Sequence, residues 1–158
     1  MLELYHWEPT TNSAEPLICL EEKGLEYRSH YVNLLAFEQH APAFLEMNPQ
    51  GQVPVLRHDG RVITETSLML EYLDAAFPQT PLTPQSPADR YQMHVWLRTS
   101  DDYFAPALCL LGWQLTNTAT TLAPATVKAA RAGFSRLPPE RHAVWNGALN
   151  GYGEGQLT

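Results

Sequence analysis

Residues 48–73, NPQGQVPVLRHDGRVITETSLMLEYL, place a proline-entered strand, a tight turn, a returning strand and a helix start within 26 residues. Pro54 has no N–H to give to a sheet ladder, so a strand through 52–56 must begin at the proline or run along an edge. Asp59-Gly60 between two β-rich runs is a hairpin signal, and 61–64 reads as the returning strand. The hydroxyls in Thr64-Glu65-Thr66-Ser67 suit helix capping, and Leu68, Met69, Leu70, Tyr72 and Leu73 carry a helical apolar stripe. A free backbone beside Pro54 and the donors at Glu65-Thr66 would then suit an extended peptide bearing a carboxylate.

This run resembles the glutathione-binding half of the glutathione S-transferase family. The resemblance implies an α/β thioredoxin-like N-terminal domain followed by an all-α C-terminal domain. In that family the valine before a cis proline pairs with the cysteinyl backbone of glutathione, and an acidic-hydroxyl pair at the next helix start holds its γ-glutamyl end. The matching positions are Val53, Pro54, Glu65 and Thr66, with threonine standing where serine is usual. Gln39 and His40 align with polar residues that hold the glycyl carboxylate in related classes, their alternative being an exposed helix face. Gln52 would line the same end.

Composition narrows the partners. With 44% hydrophobic and 17% charged residues the chain is of the globular kind, and 158 residues allow one good core or two small ones. A net charge of −7 argues against nucleic acid or an anionic membrane surface as partner. The longest apolar run, 103–113, contains Pro106 and falls short of the about twenty residues of a membrane span. Nothing near the N-terminus resembles an export signal, which leads to the expectation of a cytoplasmic protein. Cys19 and Cys109 lie singly inside helical patterns and read as small buried hydrophobes with no disulfide implied. The six histidines show no metal-ligand spacing, so no metal is expected.

In chain order, Leu2, Leu4 and His6 alternate with Glu3, Tyr5 and Trp7 as a first strand. A helix follows, entered at Asn12 or Ser13, carrying Leu17, Ile18 and Leu20 and ending at Lys23-Gly24. A second strand over 26–32 would run parallel to the first. Residues 37–47 read as a short helix with Phe44 and Leu45 inward. Four prolines in 77–88 mark a linker. Beyond it, 89–113 carries Met93, Trp96, Leu97, Tyr103, Leu108 and Leu111 at helical spacing, with a bend near Pro106. A further helix is read at 125–134, and a segment with Trp145 follows. The expected division is 1–77, a thioredoxin-like glutathione-binding domain; 78–88, a linker; and 89–158, an incomplete all-helical domain.

Thr10-Thr11-Asn12-Ser13 stands where a thioredoxin would carry its CxxC, yet holds no cysteine. What remains is a helix N-terminus with polar side chains, which favours an anion brought from outside, and the glutathione sulfur is the natural candidate. A thiol of pKa about 8.5 is only about 3% ionised at pH 7, and lowering it by about two units takes about 2.7 kcal/mol. Ser13, with Asn12 beside it, is the candidate to supply this; the alternative is that both simply cap the helix. Tyr5 is a competing hydroxyl whose in-strand position favours packing.

The stretches NSAEPLICLEEKGLEY, FEQHAPAFLEMNPQGQVPVL, HDGRVITE and DDYFAPALCLLGW resemble the glutathione-dependent β-etherases of bacterial lignin catabolism. That resemblance implies thiolate attack on a β-aryl ether with release of a phenol, glutathione serving as co-substrate. The small aromatic electrophile would sit between His6-Trp7 and the helix face carrying Tyr103, Ala107 and Leu111. Another electrophile, or a non-catalytic glutathione-binding module, is the alternative. The long helix has too few apolar partners in 158 residues, so a homodimer, or further chain, is expected to cover it.

Overall fold

The computed structural model describes residues 1–108, 111, 123–133 and 139. Strand β1, Leu2–His6, pairs in parallel with β2, Tyr27–Tyr31, and antiparallel with β3, Val55–His58, which pairs in turn with β4, Arg61–Ile63. The sheet order is β2-β1-β3-β4. Between them lie the helices α1, Ala14–Glu22, and α2, Pro42–Met47; α3, Thr66–Ala76, follows β4. This is a thioredoxin-like mixed sheet, as the resemblance implies.

The period-2 alternation of β1 sends its side chains to two faces. Leu2 and Leu4 join Cys19, Leu20, Leu56, Met69 and Leu73 in a core between the sheet and α1 with α3. On the other face Val55 packs with Val32 and Phe44, and Tyr5 and Met47 border that cluster. Each fully buried Leu here contributes on the order of 1.5–3 kcal/mol of transfer free energy.

Pro54 immediately precedes β3, so the strand begins after it, at Val55 rather than Gln52, and β3 lies inside the sheet. The hairpin turns at Asp59 (φ 48°) and Gly60 (φ 86°), the left-handed pair that matches the strand twist.

Four local readings change. The 37–47 segment is divided into a 3-10 turn at Glu38–His40 and α2, and another 3-10 turn, Leu34–Ala36, precedes it. Phe37 adopts a left-handed φ of 57°, and Pro42 keeps Ala41 extended at φ −65°, ψ 143°, so one continuous helix cannot form. Ile18 is 60% exposed while Cys19 is buried, because the core-facing stripe of α1 runs through Pro16, Cys19 and Leu20. Ser13 and Glu65 occupy the N-cap positions of α1 and α3, but neither side chain makes a cap hydrogen bond. Leu68 in α3 is exposed, its helical position facing away from Met69 and Leu73.

After α3 the chain carries no helix or strand until α4, Pro87–Thr99, where Ser86 Oγ accepts from Asp89 N at 3.4 Å. The irregularity in the long helix is a π turn, Ser100–Phe104, after which 105–108 is again α-helical. Pro106 lacks the N–H that would bond to the Asp102 carbonyl, and widening the preceding turn accommodates that loss. Helix α5, Pro124–Gly133, lies against the turn at Leu34–Ala36. Cys109, Trp113, Phe134 and the segment with Trp145 lie outside the described residues.

Candidate active site

The strand register sets the geometry. Because β3 runs antiparallel to β1, with Tyr5 opposite Val55, the start of β3 lies beside the end of β1. Ile63, the last residue of β4, pairs with Leu56 near that same start. The β1–α1 loop, Val53-Pro54 and Glu65-Thr66 are therefore brought to one end of the sheet.

At the end of β1, Trp7 N donates to Ser13 Oγ at 3.1 Å. Ser13 is fully buried and Asn12 is exposed. A serine hydroxyl accepts this bond with one lone pair and keeps its own hydrogen to donate. The loop is tied down from within: Thr11 Oγ1 donates to Glu8 O at 2.6 Å, and Ser13 N donates to Thr11 Oγ1 at 3.3 Å. Tyr31 OH donates to Glu8 Oε1 at 2.5 Å, and that bond to a carboxylate, with burial second, holds the Tyr31 phenol above its ordinary pKa. Tyr5 stacks on His30 at 4.3 Å and sits edge-on to Phe44 at 6.4 Å, on the α2 side of the sheet.

The Val53–Pro54 bond is cis, Val53 is half-buried and Gln52 is exposed. Asn48 Nδ2 donates to Gln52 O at 2.9 Å, and Asn48 Oδ1 accepts from Gln50 N at 3.1 Å, which shapes the approach to Pro54. Gly51, at φ 62°, lets this loop press on the preceding turn: a Cβ there would come within 2.7 Å of the His40 ring and 3.2 Å of Gln39 O. Gln39 and His40 are thus interior, at 1% and 4% exposure, and not on an exposed helix face. Neither amide atom of Gln39 has a hydrogen-bond partner among the described residues.

Glu65 is exposed with φ 64°, and Thr66 is half-buried. Ser67 behind them is buried, and its hydroxyl donates to Asp101 Oδ2. Across from it, burial first and the Asp101 carboxylate second raise the Glu15 pKa above its usual value. Sequence reading missed Ser67, Asp101 and Glu15 as a group, since they come from three elements and share no local motif.

On the electrophile side, Trp7 is 6% exposed and turned into the fold. The two ring nitrogens of His6 are engaged, Nδ1 with Trp7 O at 2.6 Å and Nε2 with Ser29 Oγ at 2.7 Å. Tyr103, at 70%, and Leu111 are exposed, as is Ala107. A separate cavity of about 330 Å³ lies between α1, α3 and α4, lined by Ile18, Cys19, Leu70, Met93 and Leu97.

Residues 11–76 match the glutathione S-transferase N-terminal domain family. Protein LigF of Sphingobium sp. strain SYK-6 is 37% identical over 159 residues, covering 99% of this chain and 62% of LigF. The crystal structure of the β-etherase LigF superposes with a TM-score of 0.81 at 36% identity, covering 96% of this chain and 64% of that one. A theta class glutathione S-transferase from Xanthomonas axonopodis pv. citri, crystallised with glutathione bound, superposes with a TM-score of 0.68 at 27% identity, covering 91% and 70%. This chain thus spans less than two thirds of LigF's length. With its sheet order, its cis Val53–Pro54 bond and these likenesses, the chain carries the glutathione S-transferase N-terminal domain that the family model matches over residues 11–76.

Proposed function

We propose that this protein is a glutathione-dependent transferase that cleaves β-aryl ethers. The observation that carries the reading is the convergence of Ser13, Val53-Pro54 and Glu65-Thr66 on one end of the sheet, in a chain 37% identical to LigF. Val53 would pair with the cysteinyl backbone of glutathione and the Glu65-Thr66 turn would hold the γ-glutamyl group. Gln39 and His40, being interior, would support the glycyl end from behind, with Gln52 in front. The orphan amide of Gln39 fits a polar ligand group at that end.

In the reaction the Ser13 O–H donates to the thiolate, and the sulfur attacks the carbon bearing the aryloxy group. A C–S bond forms, the C–O bond breaks, and the phenolate leaves and takes up the proton lost from the thiol. The exposed Tyr103, Ala107 and Leu111 would receive the aromatic electrophile beside His6 and Trp7. The exposed apolar side chains of Tyr91, Trp96 and Leu108 support a homodimer as the working form. We also read 1–77 and 89–158 as separate units joined by 78–88, and the protein as cytoplasmic. Among the described residues no helix is long and apolar enough to cross a membrane.

The test is incubation with glutathione and a β-aryl ether that carries a fluorescent phenol. Phenol release proportional to enzyme is expected; its absence, with glutathione binding intact by calorimetry, would discard the etherase reading. The second reading, a glutathione-binding module without turnover, is favoured by one observation, the complete burial of Ser13. It predicts binding without consumption of aryl ethers, haloaromatics or peroxides.

A further inference from the structure

The loop between β1 and α1, residues 7–13, carries Asn12 and Ser13 and lies outside any helix or strand. Side chains fasten this end of β1 to β2. His6 Nε2 lies 2.7 Å from Ser29 Oγ, and Tyr31 OH donates to Glu8 Oε1 at 2.5 Å. Ser29 and Tyr31 stand two residues apart on one strand and so share a face, and Tyr31 pairs with His6 in the parallel register. The His6 and Tyr31 rings meet edge to face at 6.3 Å.

The Tyr31 hydroxyl has a second partner, for it accepts from the Trp7 side chain, whose indole N–H can only donate. It therefore bridges the first two residues of the loop. Glu38 is the other carboxylate facing it, but that group is engaged by Asn33 N at 2.7 Å. From Glu8 the bonds run on through the loop. Glu8 O accepts from Thr11 N at 3.1 Å and from Thr11 Oγ1 at 2.6 Å, and Thr11 Oγ1 accepts in turn from Ser13 N at 3.3 Å. Thr11 O accepts from Ala14 N at 2.8 Å, and Ser13 Oγ closes the ring by accepting from Trp7 N. The path from β1 to α1 thus runs through Glu8, and Glu8 is tied to Tyr31. Tyr31 is 53% exposed, so its ring adds little burial, whereas its bond to a charged acceptor is of the stronger kind.

We propose that Tyr31 is a positioning residue for the thiol site: its hydroxyl, held between the Trp7 side chain and the Glu8 carboxylate, fixes the β1–α1 loop so that Asn12 and Ser13 meet the incoming sulfur. The consequence for glutathione rests on the function proposed above, but the bracing of the loop does not.

The experiment uses the full chain with Tyr31→Phe, Glu8→Ala, their double variant, the conservative Glu8→Gln, and Tyr27→Phe as a control on the same strand. Amide hydrogen exchange without ligand should quicken about fivefold at Thr11, Ser13 and Ala14 in Tyr31→Phe and in Glu8→Ala, with β3 and α3 amides unchanged. In the Tyr31→Phe background Glu8→Ala should add nothing, since its effect passes through that hydroxyl. With glutathione and a β-aryl ether, kcat should fall about fivefold in each, while glutathione affinity changes by less than about twofold, because Val53-Pro54 and Glu65-Thr66 are untouched. Glu8→Gln keeps an acceptor oxygen and should recover most of both losses, and Tyr27→Phe should match the unaltered protein. Unchanged exchange at 11–14, or losses that multiply in the double variant, would overturn the proposal. A loss confined to glutathione affinity with kcat kept would overturn it as well, as would a uniform rise in exchange across α1, β3 and α3, which marks general destabilisation. If the unaltered protein binds no glutathione or releases no phenol, the proposed function fails while the exchange result still decides whether Tyr31 braces the loop.

Discussion

Lys23 Nζ lies 2.6 Å from Asp74 Oδ1 and donates also to the Thr80 carbonyl at 2.6 Å, joining the end of α1, the last turns of α3 and the proline-rich connection. Asp74 in addition accepts from Leu82 N at 2.8 Å and Thr83 N at 2.9 Å. Both side chains are largely buried, so the pair fixes how the chain leaves the sheet domain.

This pair sets an acid limit on stability. Burial pushes the Asp74 carboxyl up, but hydrogen bonds from Lys23, Thr83 and the Leu82 and Thr83 amides outweigh it and hold the group well below the usual carboxylate range. A folded pKa below the unfolded value of about 3.9 means that stability is fully present above that value and drains as pH falls toward the folded one. Thermal melts should therefore lose stability below about pH 4, and Asp74→Asn should flatten that loss. An unaltered acid limb in the variant would assign the loss to other carboxylates.

Removing the cation is expected to be costly at neutral pH. Lys23→Met leaves Asp74 buried without its charge partner, which should destabilise the fold by about 3–5 kcal/mol in urea unfolding. A cost under about 1 kcal/mol would mean that the amides of Leu82 and Thr83 satisfy Asp74 by themselves.

Glu15 has the opposite sign. Its pKa is raised, by burial and then by Asp101, so ionising it opposes folding and stability falls as pH rises through its folded pKa. Glu15→Gln should raise the melting temperature at pH 7, and the gain should vanish near pH 3, where both forms are neutral. A gain that persists at pH 3 would point to packing and not charge.

Gly51→Ala meets two obstacles, a left-handed φ of 62° and the His40 ring at 2.7 Å from the new Cβ. The expected loss is about 2 kcal/mol or more, with weaker glutathione binding, because the loop that delivers Val53-Pro54 must shift. Chemical denaturation and calorimetry on the same preparation read both effects.

Ser13→Ala separates structure from chemistry. Losing the acceptor for the buried Trp7 N–H should cost about 1–3 kcal/mol of stability whatever the function. If the hydroxyl also donates to the thiolate, the pKa of bound glutathione, read from thiolate absorbance, should rise by about one unit or more, the counterpart of losing about 1.5–3 kcal/mol of charged hydrogen bond. A stability loss with no change in thiol pKa would leave Ser13 a purely structural residue.

What the sequence determined by itself was whatever is written in neighbouring residues. Asp59-Gly60 enforces a turn because two successive left-handed residues suit few side chains, and the β1 alternation assigns Leu2 and Leu4 to one face and Tyr5 to the other. Pro54 likewise dictates where β3 begins, through its missing N–H. The tertiary structure alone decided that Ile18 faces away from the core, that Gln39 and His40 are buried under Gly51, and that Ser13 bonds Trp7 instead of capping its helix. It decided also the two bonds that knit the elements together, Lys23 to Asp74 across 51 residues and Ser67 to Asp101 across 34. A local pattern constrains dihedral angles and periodicity within about one turn, whereas a buried polar side chain takes whichever partner the packing of distant elements brings within 3 Å. That choice has no signature in adjacent residues.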